Sequence, residues 1–268
     1  MLQRMSTTMH TGTSPCPNCG EARAGNYCSH CGQAADAHEP AIGHFFHEVT
    51  HEFLHVDGKI FRTIKALLFE PGRLTGEYWA GQIVSRVRPV RLFLVAAAGI
   101  GPVNFQVLAE REPNGKKHVA VSDDVTRRAG QNGRKPLSPE EQHEVLEQFS
   151  HTYNEVRYTS PVLFAAACWL IYRRRQRYFV NHLVGALHFY SFWYLLAIVT
   201  GELARIQPAS RILNVLTALY LGLALRRLFH QSWIVTVMKA ILLSGILVFV
   251  ELSIALAAAI LTTKKLGF

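Results

Sequence analysis

Four cysteines within sixteen residues carry the strongest chemical signal in the chain. Cys16-Pro-Asn-Cys19-Gly20 and Cys28-Ser-His-Cys31-Gly32 are two copies of one C-x2-C-G element, with eight residues separating Cys19 from Cys28. Each copy sets two thiolates on a tight turn. The glycine that follows can adopt the left-handed conformation that aims backbone N–H groups at sulfur. Four thiolates suit tetrahedral zinc and fill every coordination position, so Cys16, Cys19, Cys28 and Cys31 predict a structural site, not a catalytic one. A rubredoxin-like iron site uses similar turns and is the alternative metal. About twenty residues cannot bury a core of their own, so the metal must supply much of the folding free energy. His30, beside a ligand, is expected to face solvent.

A second set of metal-ligand residues follows. His44, His47, His51 and His55 fall on one side of a helix, and His47-Glu48-Val49-Thr50-His51 reads H-E-x-x-H, the zinc-protease pattern. A protease also needs a third ligand and an open position over a substrate cleft. His55 only continues the same row, so a second metal site at His47, His51 and His55 is the minor reading. A pH-responsive polar face is the main one. Further along, His182, His188 and Glu251 stand inside apolar runs, where burial of an ionisable group needs a reason. Six residues put His182 and His188 about 120° apart, so they cannot chelate one ion from a single helix face. They read as an intramembrane polar site or, more blandly, as hydrogen bonds between helices. Cys168, alone in an apolar run, reads as a packing residue.

The elements that must position these residues are apolar. Hydrophobic residues make up 49% of the 268 and charged ones 18%, which excludes a disordered chain and argues against a wholly soluble one. A net charge of +9 fits nucleic acid or membrane, and position decides between them. The arginines border the apolar runs: Arg86, Arg88 and Arg91, then Arg173, Arg174, Arg175 and Arg177, then Arg226 and Arg227. That is the pattern of cytoplasmic loops, so lipid is the expected partner and nucleic acid is not. Residues 1–15 hold no run of signal-peptide length and predict a disordered N-terminus.

After the ribbon at 16–33 and a linker at 34–40, residues 41–90 predict amphipathic helices at the membrane surface, with the helical stripe over 41–69 ended by Pro71-Gly72. Residues 91–268 predict a bundle of about five transmembrane helices: 91–109, 155–172, 179–200, 211–225 and 234–261. Residues 110–154 would form an extracytoplasmic loop, with the N-terminus in the cytosol. The expected fold class is therefore an all-α membrane protein preceded by a small four-Cys zinc ribbon.

The run from Cys16 to Gln33, then Thr63, Leu67-Leu68, Pro71-Gly72, Tyr78, Gly81 and Pro89, resembles an uncharacterised bacterial family. His182 to Phe192, and Leu225-Arg226-Arg227 through Gln231-Ser232-Trp233, extend the resemblance. Its members are small multispanning membrane proteins with an N-terminal zinc ribbon, known only as a domain of unknown function. Gln82, Ile83 and Asn181 depart from its usual pattern. The resemblance implies zinc and a bacterial inner-membrane location but lends no activity. The expected role is a non-enzymatic platform on which the ribbon recruits a cytosolic protein. A transporter of small molecules, ions or protons using the polar residues is the alternative, and a membrane metalloprotease the third reading.

Overall fold

The computed structural model describes residues 14–23, 25–35, 59–100, 139–200 and 207–266. Residues 1–13, the His44, His47, His51 and His55 row, and loop residues 110–138 lie outside the described residues. The described chain is helical apart from turns and two isolated antiparallel bridges, Pro15 with Ala22 and Tyr27 with Ala34. In chain order the helices are α1 (Lys59–Phe69), α2 (Arg73–Trp79), α3 (Pro89–Ile100), α4 (Pro139–Val156), α5 (Ser160–Tyr172), α6 (Phe179–Thr200), α7 (Gln207–Phe229) and α8 (Trp233–Leu266). A single 3-10 turn, Arg157–Thr159, joins α4 to α5. The chain divides into two compact units, Met1–Gly99 with Ala165–Leu243, and Ile100–Phe164 with Ser244–Phe268.

The first unit is organised around α6. Its apolar residues fall on every side of the helix, and Val184, Ala186, Tyr190, Ser191 and Phe192 are all buried. Helix α1 turns a stripe of Thr63, Ala66 and Leu67 inward and leaves Phe61 and Phe69 exposed. It stops where Pro71-Gly72 predicts. Gly72 takes φ 76°, and a Cβ there would sit 2.9 Å from the Ala224 carbonyl oxygen, so only glycine lets the turn approach α7 this closely. Phe192 of α6 stacks on Tyr220 of α7 at 3.6 Å, and the Tyr220 hydroxyl donates to the Leu67 carbonyl at 2.7 Å. These contacts lock α1, α6 and α7 together.

In the second unit, Thr152, Arg157 and Ser160 are buried, and the Lys265 ammonium lies 3.9 Å from the Glu155 carboxylate. Glu251 belongs to this unit, half-buried, whereas His182 and His188 belong to the first.

The expectation of about five spans is not met. One helix among the described residues, Trp233–Lys265, is long and apolar enough to cross a membrane. The 3-10 turn cuts the second expected span to the 13 residues of α5, about 20 Å of helix against a core of roughly 30 Å. Helix α3 is described for 12 residues. Helix α6 has the length, with the bounds 179–200 as expected, but most of it is covered by protein. Helix α7 starts at Gln207, ahead of the expected start at 211, but Gln207, Arg211, Asn214, Arg226 and Arg227 break its apolar run. Among the described residues the fold is mostly helical with one candidate span.

Candidate metal centre

The two C-x2-C-G elements fold as near-identical knuckles. In the first, the Cys16 N–H donates to the Glu21 carbonyl and the Gly20 N–H to the Cys16 carbonyl, both at 2.8 Å. The second repeats this with Cys28 to Gln33 and Gly32 to Cys28, both at 2.9 Å. Gly20 and Gly32 take φ 78° and 73°, the left-handed conformation the motif calls for. The paired knuckles bring all four sulfurs within 4.8 Å of one another. Cys16 and Cys31 Sγ are 3.6 Å apart, as are Cys19 and Cys28 Sγ, so each short edge joins one knuckle to the other. Thiolates about 2.3 Å from a tetrahedral ion are about 3.8 Å apart, and the four thiols, all free of disulfides, fit that geometry.

Backbone donors favour charge on the Cys28 sulfur. The Cys31 N–H, helped by that of His30 and opposed by desolvation, pulls the Cys28 thiol down to about 6. The Glu21 N–H lowers Cys19 too, but desolvation and the neighbouring Cys28, Cys31 and Cys16 sulfurs outweigh it and push that thiol up to about 12. Crowded thiols cannot all ionise together without a cation among them. His30 is exposed, as expected, and is not among the clustered ligands.

Sequence reasoning missed how the ribbon is attached. Gln33 is 1% exposed; its Nε2 donates to the Gly81 carbonyl at 2.7 Å, and its Oε1 accepts the Ile83 N–H at 3.4 Å. From the other knuckle, Asn18 Oδ1 accepts the Ser85 N–H at 3.2 Å. One amide from each knuckle thus grips residues 81–85. That segment is fixed from behind by Arg86, whose guanidinium meets the Glu77 carboxylate at 2.7 Å, and by the Val87 N–H, which donates to the Thr63 hydroxyl at 3.1 Å. An amide following a C-x2-C-G looks like any surface polar residue, so nothing in its type or spacing signals this role.

Of the other expected site residues, His182 and His188 take up hydrogen bonds inside the first unit, and Glu251 belongs to the second. His188 Nδ1 lies 2.9 Å from the Thr75 hydroxyl, with both groups buried. His182 Nε2 lies 3.0 Å from the Gln176 carbonyl, which fixes the proton on that nitrogen in the neutral ring. The Trp79 indole donates to the Asn181 carbonyl at 3.1 Å and packs edge-on to His182.

A family model matches residues 57–98. It is described as "Protein of unknown function (DUF3667)". The similarity covers α1, α2, the segment gripped by the ribbon and most of α3. The cysteines precede it. No curated protein and no solved structure matches the chain.

Proposed function

We propose that this chain is a non-enzymatic platform at the bacterial inner membrane, in which a zinc-filled ribbon is held rigidly on a helical body to recruit a cytosolic protein. The observation that carries the reading is the closed four-thiol cluster, in which a bound ion has no position left for substrate. Zinc is the ion of choice for four thiolates in a small ribbon whose job is structural. Helix α8 supplies the membrane attachment: Ile241, Leu242, Phe249, Leu252 and Leu256 are exposed along it, an apolar surface that water does not favour. The ribbon offers a partner an exposed Tyr27 ring on a rigid mount. The reduced thiols and the arginines before α8 favour the cytosolic side for the ribbon.

The test is a photo-crosslinking amino acid in place of Tyr27, activated in intact cells, followed by alkaline extraction of membranes. A defined adduct in the membrane pellet, lost when Cys28 and Cys31 are changed to Ser, is the expected result. An adduct pattern indifferent to the cysteines would remove the ribbon from recruitment, and full release by alkali would remove the anchor.

A further inference from the structure

A cleft of about 450 Å³ opens in the first unit where α5 ends and α8 begins. Four of the residues that line it are cations: Arg173, Arg174, Arg175 and Lys239. Among the described residues none of the four has a carboxylate partner, although surface arginines and lysines are cheaply paired. Two of them are held in place by neutral groups. Arg175 Nη1 donates to the Phe229 carbonyl at 3.1 Å. With the Gln231 amide turned so that its oxygen faces them, Arg175 Nε at 3.1 Å and Lys239 Nζ at 3.2 Å both donate to that oxygen. The Lys239 ammonium also lies 4.2 Å over the Tyr172 ring. The Tyr172 hydroxyl, buried in the cleft wall, has no hydrogen-bond partner among the described residues. Donors therefore exceed acceptors, and like charges converge on one neutral oxygen, an arrangement that an anion rich in acceptors would relieve.

We propose that this cleft binds a phosphate group, gripped by Arg174 and Lys239 with Arg173 and Arg175 around it. The fork of an arginine and the point charge of a lysine both suit phosphate oxygens. The volume, within the usual range for small-ligand pockets, accommodates a phosphate with an organic substituent. Free phosphate and the headgroup of an anionic phospholipid share this chemistry, and the proposal stands independently of the ribbon's role.

The full chain, purified in non-ionic detergent, is titrated calorimetrically with inorganic phosphate. In a second arm it is mixed with phosphatidylcholine vesicles with and without phosphatidylglycerol. The variants are Arg174→Gln, Lys239→Gln and, as a control for net charge, Lys65→Gln on the exposed side of α1. Saturable phosphate binding assigns a free phosphate ligand, and a preference for phosphatidylglycerol vesicles alone assigns a headgroup. In either case Arg174→Gln and Lys239→Gln each weaken binding about tenfold, while Lys65→Gln changes it less than about threefold. Should Lys239→Gln fail to fold, exposed Arg174 alone carries the comparison. The proposal is overturned if neither ligand saturates, if Lys65→Gln loses as much as the cleft variants, or if a single-stranded oligonucleotide binds the cleft more tightly than either phosphate ligand.

Discussion

Thr75 and His188 meet at 2.9 Å in the interior of the first unit, and burial decides which state of the imidazole the fold accepts. Burial pushes His188 down from 6.5 to about 4, only partly opposed by the Glu77 carboxylate. Between those values the unfolded chain takes up a proton that the folded chain refuses. Stability is therefore complete above pH 6.5 and falls as the pH drops toward 4, by on the order of 3 kcal/mol from this residue. His182 is also lowered, by burial against the opposing pull of the Gln176 carbonyl, and adds in the same direction. Glu77 is raised by desolvation, but the Arg86 and Arg73 guanidiniums hold it below its usual range, so its loss comes at lower pH. Denaturant midpoints in detergent between about pH 7 and pH 4.5 should fall for the wild type and fall less steeply for His188→Gln. Equal slopes would place the pH dependence elsewhere. The sequence marks His188 as a residue whose burial needs a partner, but Thr75, 113 positions away, cannot be read from it.

Helix ends are the best-read elements, because the signals that end a helix are local. Pro71-Gly72 closes α1, and the bounds of α6 follow its apolar run. What surrounds such a run is not local: α6 is apolar on every side, a pattern that lipid or protein can cover equally well. Protein covers most of it here, and α8, with long exposed apolar faces, is the helix with the character of a span. The close approach of the α1–α2 turn to α7 is testable at two glycines. In Gly72→Ala the side chain meets backbone, the Ala224 carbonyl oxygen at 2.9 Å, in a left-handed conformation, so a cost of about 2–4 kcal/mol is expected. Gly76 sits within α2, and its added Cβ would touch only Leu228 Cδ2 at 3.8 Å. Gly76→Ala should be neutral or stabilise by up to about 1 kcal/mol. Thermal melts of the two variants check this, and equal losses would mean that the turn does not control the packing.

Across the whole molecule, the four-cysteine cluster was legible because its members are neighbours in sequence, whereas its mounting joins residues 48 and 67 positions apart. That division has a consequence for how the parts come undone. Among its described residues the ribbon has two isolated bridges and the knuckle turns but no helix, so a bound ion would supply most of its order. The helical body has its own aromatic and aliphatic interior around α6. Removing the metal with a chelator should release about one zinc per chain and unfold the ribbon locally while leaving the body intact. Hydrogen exchange reads the difference at single amides. The Gly20 and Gly32 N–H groups, bonded within the knuckles, should lose protection, as should the Ile83 and Ser85 N–H groups, whose acceptors are Gln33 and Asn18. Amides of α6 should exchange as before. Gln33→Ala separates mounting from metal: it should speed exchange at Ile83 and leave the Gly81 carbonyl without its donor, at a cost of about 1–3 kcal/mol, while the zinc content stays unchanged. If chelation also unprotects α6, the metal supports the whole first unit, and the ribbon is part of its core instead of a module clamped onto it.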